Sequence, residues 1–419
     1  MHGFVLVNIL YINHYAGGPS YGMEYRPYYL AREWVRAGHS VTIVAASQSH
    51  VRSKQPAVSS RFTIECVDGV NFVWCETPKY QGNGVGRVGN IATFLLRLSQ
   101  WRQWLRQKPD VVIASSTYPA DIGPARRLAR KHDAKLVWEV HDLWPLSPME
   151  LGGMSRWHPF ILWMQHAENA ACRDADVVIS MLPKADAHLR QHGMSADKFV
   201  HVPNGIDPAE WIEADAEPLP MAHTTAIQMA REQGHLLVAY AGAHGIANAL
   251  DSMLDAAALT RREPITWLLV GNGPEKQRLQ QRIKAEHLDR VYLLDPVPKA
   301  SIPGLLKAMD VLYIGLQSEP LFRFGISPNK LMDYMMAARP VVCAIAAGND
   351  PVSEANCGLT IEPENPTALA DAVSKIRNLP PEQRERMGLS GRAYVEKNHL
   401  YPALAKNFLQ SIKQVEVSA

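Results

Sequence analysis

The chain has 419 residues, 47% hydrophobic and 20% charged, which suits two or three globular domains with sizeable cores. Its net charge is +2, but residues 1–205 carry 22 Lys/Arg against 16 Asp/Glu and the remainder 21 against 25; any preference for an anionic surface therefore belongs to the first half, and nucleic acid is not an expected partner. Five scattered cysteines, the absence of a signal-peptide pattern, and apolar runs far short of the roughly 18 residues of a spanning helix lead us to expect a reduced, cytosolic protein, neither secreted nor integral to a membrane.

In chain order, Val5 to Asn13 reads as a strand, Tyr28 to Ala37 as a helix closed by Gly38, and Ser40 to Ala45 as the next strand, together a βαβ unit. Further strands are predicted at Val111 to Ala114, Lys135 to Glu139 and Val177 to Ser180. A Pro- and acid-rich segment after residues 201–207, HVPNGID, breaks the pattern as far as Pro220. The rhythm then restarts with Leu236 to Ala241, Trp267 to Val270, Val291 to Leu294, Val311 to Gly315 and Val341 to Ala344. Tyr401 to Val415 reads as a closing helix. The expected fold class is α/β, two doubly wound parallel sheets covered on both faces, with ligands beyond the carboxyl ends of the strands in a cleft between the domains.

The most informative stretch is RFGISPNKLMDYMMAARP, residues 323–340. A buried strand leads through a glycine-containing loop into an amphipathic helix, with Ser327 and Pro328 suited to cap and first-turn positions. Such a helix start favours a phosphate, which Arg323 and Lys330 could reach, while Asp333 could accept hydrogen bonds from a ribose. The alternative is a packed helix with solvated charges.

Other candidates sit at strand ends. Gly17 and Gly18, in the loop HYAGGPSYGMEYRP, allow close backbone approach, and Pro27 opens the following helix. The spacing is not that of the dinucleotide fingerprint, and no acidic residue ends the second strand, which disfavours a nicotinamide or flavin enzyme. His141 in WEVHDLWP could donate to a sugar hydroxyl or a developing charge; a His141–Asp142 loop hydrogen bond is the plainer alternative. Asp174 and Asp176 have metal-site spacing, but a helix terminus running into a strand explains them, and no other compact cluster of His, Cys or carboxylates shows ligand spacing, so no metal is expected. Gly271 to Pro274 could shape a base pocket or form a turn, and Asn204 with Gly205 could contact substrate or form a sharp turn.

Taken together, GGPSYGMEYRPYYLAREWVRAGHSVTIVAAS, EVHDLWP, VPNGID, GNGPEKQRL and FGISPNKLMDYMMAARPVV resemble a retaining glycosyltransferase of family four with the GT-B fold, in the WbuB-like branch associated with bacterial surface polysaccharides. The resemblance implies an acceptor-binding domain over residues 1–205, a nucleotide-sugar-binding domain over 206–398, and a helix over 399–419 packing back across the junction. It implies a UDP-sugar donor, with an N-acetylated 6-deoxyhexose such as L-FucNAc favoured, a lipid-linked saccharide acceptor, and a metal-independent reaction without a cofactor. Gly17, Gly18, Asn204, Gly242, His244, Gly271, Arg323, Ser327, Asn329, Lys330 and Asp333 would hold the donor; Arg26, His141 and Asp142 the acceptor; His141 and Lys330 would serve catalysis. Two departures stand out. Gly325 occupies the place of the family's first glutamate, eight residues before Asp333, and the loop AGAHGIANALD, which holds Gly242 and His244, lacks the usual Arg and Lys. A nucleotide-sugar 2-epimerase of the same fold and a non-catalytic nucleotide-sugar-binding protein are the rival readings.

Residues 77–109 carry six basic and no acidic side chains, with Ile91, Phe94, Leu95, Leu98, Trp101 and Leu105 at helical spacing. Such a helix, with WHPFILWM at residues 157–164, could dock on anionic lipid at the inner face of the plasma membrane; packing on the sheet is the ordinary alternative.

Overall fold

The computed structural model describes residues 6–82, 84–212 and 217–414. Val5 and Val415, the ends of two predicted elements, and part of the segment before Pro220 lie outside the described residues. Two compact units emerge, one of residues 1–204 with 401–419, the other of residues 205–400.

The first unit is built on eight strands: β1 (Asn8–Ile12), β2 (Ser40–Ala46), β3 (Phe62–Val67), β4 (Val70–Cys75), β5 (Val111–Ala114), β6 (Lys135–Val140), β7 (Val177–Ser180) and β8 (Phe199–His201). Their order is β3-β4-β2-β1-β5-β6-β7-β8, and all neighbours are parallel except β3 with β4. Runs such as VVIA in β5 and VVIS in β7 are buried at every position, as a sheet covered on both faces requires. Helix Arg26–Arg36 packs against the closing helix Tyr401–Gln414: Trp34 donates its indole N–H to the Ala405 carbonyl at 2.9 Å and meets Phe408 edge-on, and Tyr29 stacks on Tyr401. The last helix thereby completes the core of the first unit.

The second unit carries β9 (Leu236–Ala241), β10 (Ile265–Val270), β11 (Val291–Leu294), β12 (Val311–Gly315), β13 (Val341–Ala344) and β14 (Gly358–Thr360), all parallel, in the order β11-β10-β9-β12-β13-β14. The strand order reverses between β9 and β12, where a doubly wound sheet opens its ligand crevice. Chain entry and exit are joined here, because Ile206 bridges Leu400 and donates its amide to the His399 carbonyl at 2.7 Å.

Two expectations need correction. The first sheet is mixed, not parallel throughout, because β3 returns antiparallel through a tight turn with Asp68 and Gly69 both at positive φ. The basic helix spans Val85–Leu98 and stops, with Trp101–Gln103 forming a separate 3-10 turn. Ile91, Phe94 and Leu98 are buried, so these positions of the stripe pack inward, while Val85 and Leu96 of the same helix are exposed.

Candidate active site

In the second unit, the loops after β9 and β12 meet at the reversal point. Tyr240, in β9, donates its hydroxyl to the Ala243 carbonyl at 2.7 Å, closing the turn that follows. Lys330 donates to the Tyr240 hydroxyl at 2.9 Å and to Asn248 Oδ1 at 2.7 Å, with its ammonium 4.7 Å from the Tyr240 ring centre. Both hydrogen-bond partners are neutral, and burial lowers the Lys330 pKa to about 8, so the cation is held without a carboxylate. His244 is fully buried with no partner for either ring nitrogen, and Asn329 Oδ1 is likewise unsatisfied. Burial, reinforced by Lys276 and Lys330, pushes His244 down to about 4 and keeps it neutral. Polar atoms left unpaired beside an uncompensated cation are what a bound anion and its sugar would satisfy.

Backbone proximity explains the glycines here. A Cβ on Gly271 would lie 1.9 Å from the Gly242 carbonyl oxygen and one on Gly273 2.4 Å from that of His244, so the β9 and β10 loops touch main chain to main chain. The amides of Gly242 and His244 donate to the Val270 and Asn272 carbonyls, so those N–H groups hold the two loops together and are not offered to a ligand. Helix Asn329–Met336 has Pro328 as N-cap with no capping side chain; the expected cap thus lies one residue later than Ser327, and Lys330 sits in the first turn. Arg323 is exposed in the 3-10 turn Pro320–Phe324, where it stacks on Phe324 and donates to the Pro320 carbonyl at 2.7 Å. Gly325, at the place of the absent glutamate, has φ +99°, a conformation in which a glutamate side chain would be strained. Burial and Glu210 raise the Asp333 pKa to about 7, and Lys299 opposes them.

In the first unit the order turns between β1 and β5, and a polar network fills that point. Ser115 donates to Glu139 Oε2 at 2.6 Å and therefore accepts from His141 Nε2 at 2.8 Å, which places the proton of a neutral His141 on Nε2. Burial would raise the Glu139 pKa, but Arg26, His141 and Ser115 outweigh it and hold this carboxyl well below the usual range. Arg26 is itself buried, donating to Glu139 Oε1 at 2.9 Å and to the Pro203 and Val202 carbonyls, with Asn204 Oδ1 at 3.5 Å. Its fork is spent inside the protein, which corrects the expectation of an acceptor contact: Arg26 anchors Glu139 and the 202–204 segment. The amides of Gly17 and Gly18 donate to the Glu24 and Gly22 carbonyls and close their own loop.

Asp142 accepts from Ser147 Oγ at 2.6 Å and the Leu143 amide at 2.9 Å, the loop arrangement. It also lines a cavity of about 700 Å³ with Arg87, Trp144, His158 and Phe160. Sequence reasoning missed Glu139, Ser115 and His14. His14 follows β1, donates from Nε2 to Asn90 Oδ1 at 2.7 Å, accepts from Tyr118, and is pushed by burial to about 3. Asp174 pairs with Arg126 and Arg173, and Asp176 accepts the Leu136 amide, so both have structural partners.

Comparison with known proteins agrees with this architecture. Residues 21–205 match the glycosyl transferase 4-like domain and residues 235–378 the glycosyl transferases group 1 family. An Escherichia coli K12 protein named as a colanic acid biosynthesis glycosyl transferase, WcaI, is 22% identical over 396 residues, covering 91% of this chain and 94% of that one. Among solved structures, sucrose-phosphate synthase of Thermosynechococcus elongatus aligns at a TM-score of 0.70 with 17% identity, covering 99% and 100% of the two chains. Anabaena HepE with UDP-glucose aligns at 0.64 with 16% identity over 99% and 100%, and an Escherichia coli trehalose-6-phosphate protein bound with UDP-2-fluoro glucose at 0.73 with 13% identity over 97% and 99%. Two Rossmann-like units of the GT-B fold, each matching its own transferase family, make this chain a glycosyltransferase.

Proposed function

We propose that the protein transfers a sugar from a UDP-sugar, favoured as an N-acetylated 6-deoxyhexose such as L-FucNAc, to a lipid-linked glycan precursor with retention of anomeric configuration, in the WbuB-like branch serving O-antigen, capsule or exopolysaccharide synthesis. The observation that carries this reading is Lys330, a partly buried cation with neutral partners beside the unpaired groups of His244 and Asn329. The donor diphosphate would meet Lys330 and the first amides of helix Asn329–Met336, and Asp333 would accept the ribose hydroxyls. The bond from the anomeric carbon to the diphosphate oxygen breaks as the acceptor hydroxyl attacks from the same face. The departing phosphate oxygen takes the acceptor proton, so no protein nucleophile is needed; positioning and charge stabilisation are the protein's share. The cavity beside Asp142 joins polar groups to apolar walls of Val85, Val88, Ile91 and Leu151, a lining suited to a saccharide attached to lipid.

A panel of UDP-sugars, incubated with and without a polyprenyl-diphosphate-linked saccharide and read by released UDP and product anomeric configuration, tests the proposal. Acceptor-dependent UDP release with a retained linkage supports it. Conversion of donor alone to its epimer, or binding without turnover, refutes it. EDTA is expected to leave the initial rate within about twofold, since the diphosphate charge is assigned to Lys330 and helix amides; a chelator-sensitive rate restored by Mg²⁺ would show otherwise.

No helix among the described residues is long and apolar enough to cross a membrane. We place the protein peripherally on the cytoplasmic face, now by way of Trp157, Leu162 and Trp163, which are 68%, 49% and 38% exposed. Flotation with anionic vesicles should recover the protein at low salt and lose it in the double variant Trp157→Ser/Trp163→Ser; unchanged recovery of that variant would dismiss this surface.

A further inference from the structure

Away from the groups assigned to donor and acceptor, helix Pro159–Asp174 and the short helix Asp186–Gln191 of the first unit bring three potential ligands together. His188 and His192 stand four residues apart, so their rings lie side by side with centroids 4.5 Å apart. Between them and the longer helix sits Glu168, 1% exposed. Its Oε1 is 3.0 Å from His188 Nε2 and its Oε2 3.8 Å from His192 Nδ1, and one donor atom from each of the three residues lies within 4.8 Å of the others. A tetrahedral ion bound at the usual lengths would hold such donors roughly 3.3–3.5 Å apart, so only small side-chain adjustments separate this arrangement from coordination.

Polar side chains surround the cluster: Gln165 Nε2 is 2.7 Å from Glu168 Oε2 and 2.9 Å from both Asn169 Oδ1 and His192 Nδ1, and His192 Nδ1 is 3.0 Å from Asn169 Oδ1. The ion-pair partners of the buried Glu168 carboxylate among the described residues are the two imidazoles. We propose that Glu168, His188 and His192 form a binding site for one divalent transition-metal ion, zinc by donor type, that ties the two helices together with water in the fourth position. Two imidazoles and one carboxylate suit zinc better than magnesium or calcium, which prefer all-oxygen shells. Gln165 and Asn169 would orient the ligands from behind. This corrects the expectation that the chain holds no compact ligand cluster; the ion would brace the fold and take no part in transfer.

The test uses tag-free, full-length protein stripped with chelator and titrated with Zn²⁺ against a competing fluorescent chelator, and with Co²⁺ followed by its visible absorption. One ion per chain, an intense Co²⁺ band and a melting temperature raised by several degrees are expected. His192→Ala and His188→Ala should each weaken binding about 10- to 100-fold, with the circular dichroism of the metal-free protein unchanged. His192 is 24% exposed at the C-cap of its helix, so its variant decides the matter if Glu168→Gln does not fold. Failure to bind stoichiometrically at micromolar zinc, or equal affinity in the double variant His188→Ala/His192→Ala, overturns the site. Neither readout depends on transferase activity, so this proposal and the functional one fail separately.

Discussion

Lys330→Ala is expected to lower kcat/KM by about 30- to 1,000-fold, equivalent to about 2–4 kcal/mol of transition-state stabilisation, through loss of the cation at the departing diphosphate. The folded protein should not suffer, because burial lowers the Lys330 pKa to about 8 and the unfolded chain therefore holds this proton more tightly. The penalty for keeping Lys330 charged in the native state is largest below pH 8 and fades as pH rises through the unfolded value near 10.5. Replacing it should leave the melting temperature of the ligand-free protein unchanged or higher. The same titration predicts that UDP affinity and kcat/KM decline as pH rises past about 8 in the parent, with that limb missing from the variant. A well-folded Lys330→Ala protein that bound UDP and turned over like the parent would remove Lys330 from the site.

His141→Ala should separate chemistry from binding. Ser115 and Glu139 fix the ring through Nε2, and Nδ1 is the ring nitrogen proposed to contact substrate. Loss of that contact should lower kcat about 100-fold while UDP affinity stays within about twofold, because nucleotide binding is assigned to the second unit. Melting temperature serves as the control, since Glu139 keeps Arg26 and Ser115 when His141 is gone. Equal losses in UDP affinity and kcat, or none in either, would leave His141 as a loop residue only.

Periodicity revealed the parallel strands because a run buried on both faces announces itself as VVIA or LLVAYA. It did not reveal the β3–β4 hairpin, although Asp68-Gly69 between FTIECV and VNFVWC is a strong turn signal once the alternation around it is noticed. The three-residue strands β8 and β14 were too short to carry a period. Lys330 was legible because its own helix start explains it, whereas Tyr240 and Asn248, its partners, come from β9 and the turn after it, some 80 to 90 residues earlier. Glu139 stood in the quoted motif WEVHD, yet its role depends on Arg26, Tyr11 and Ser115 from three other segments. The pair His188 and His192 has helical ligand spacing, but Glu168 lies 20 residues before His188 and only folding makes them neighbours. Gly17 and Gly18 were evident in the sequence, and the destination of their N–H groups was not.

The closing helix adds a consequence in time. The first unit begins at the amino terminus but draws part of its core from Tyr401, Leu404, Ala405 and Phe408. On the ribosome, the roughly 200 residues of the second unit must be made before that helix emerges, about 10–40 s at ordinary elongation rates. During that interval Trp34 and Tyr29 lack their native cover, a sticky face on a nascent chain that chaperones are suited to shield. The second unit, contiguous from residue 205 to 400, has all its parts as soon as its own last helix leaves the exit tunnel. Birth order and completion order are therefore reversed: the half made first is the half finished last.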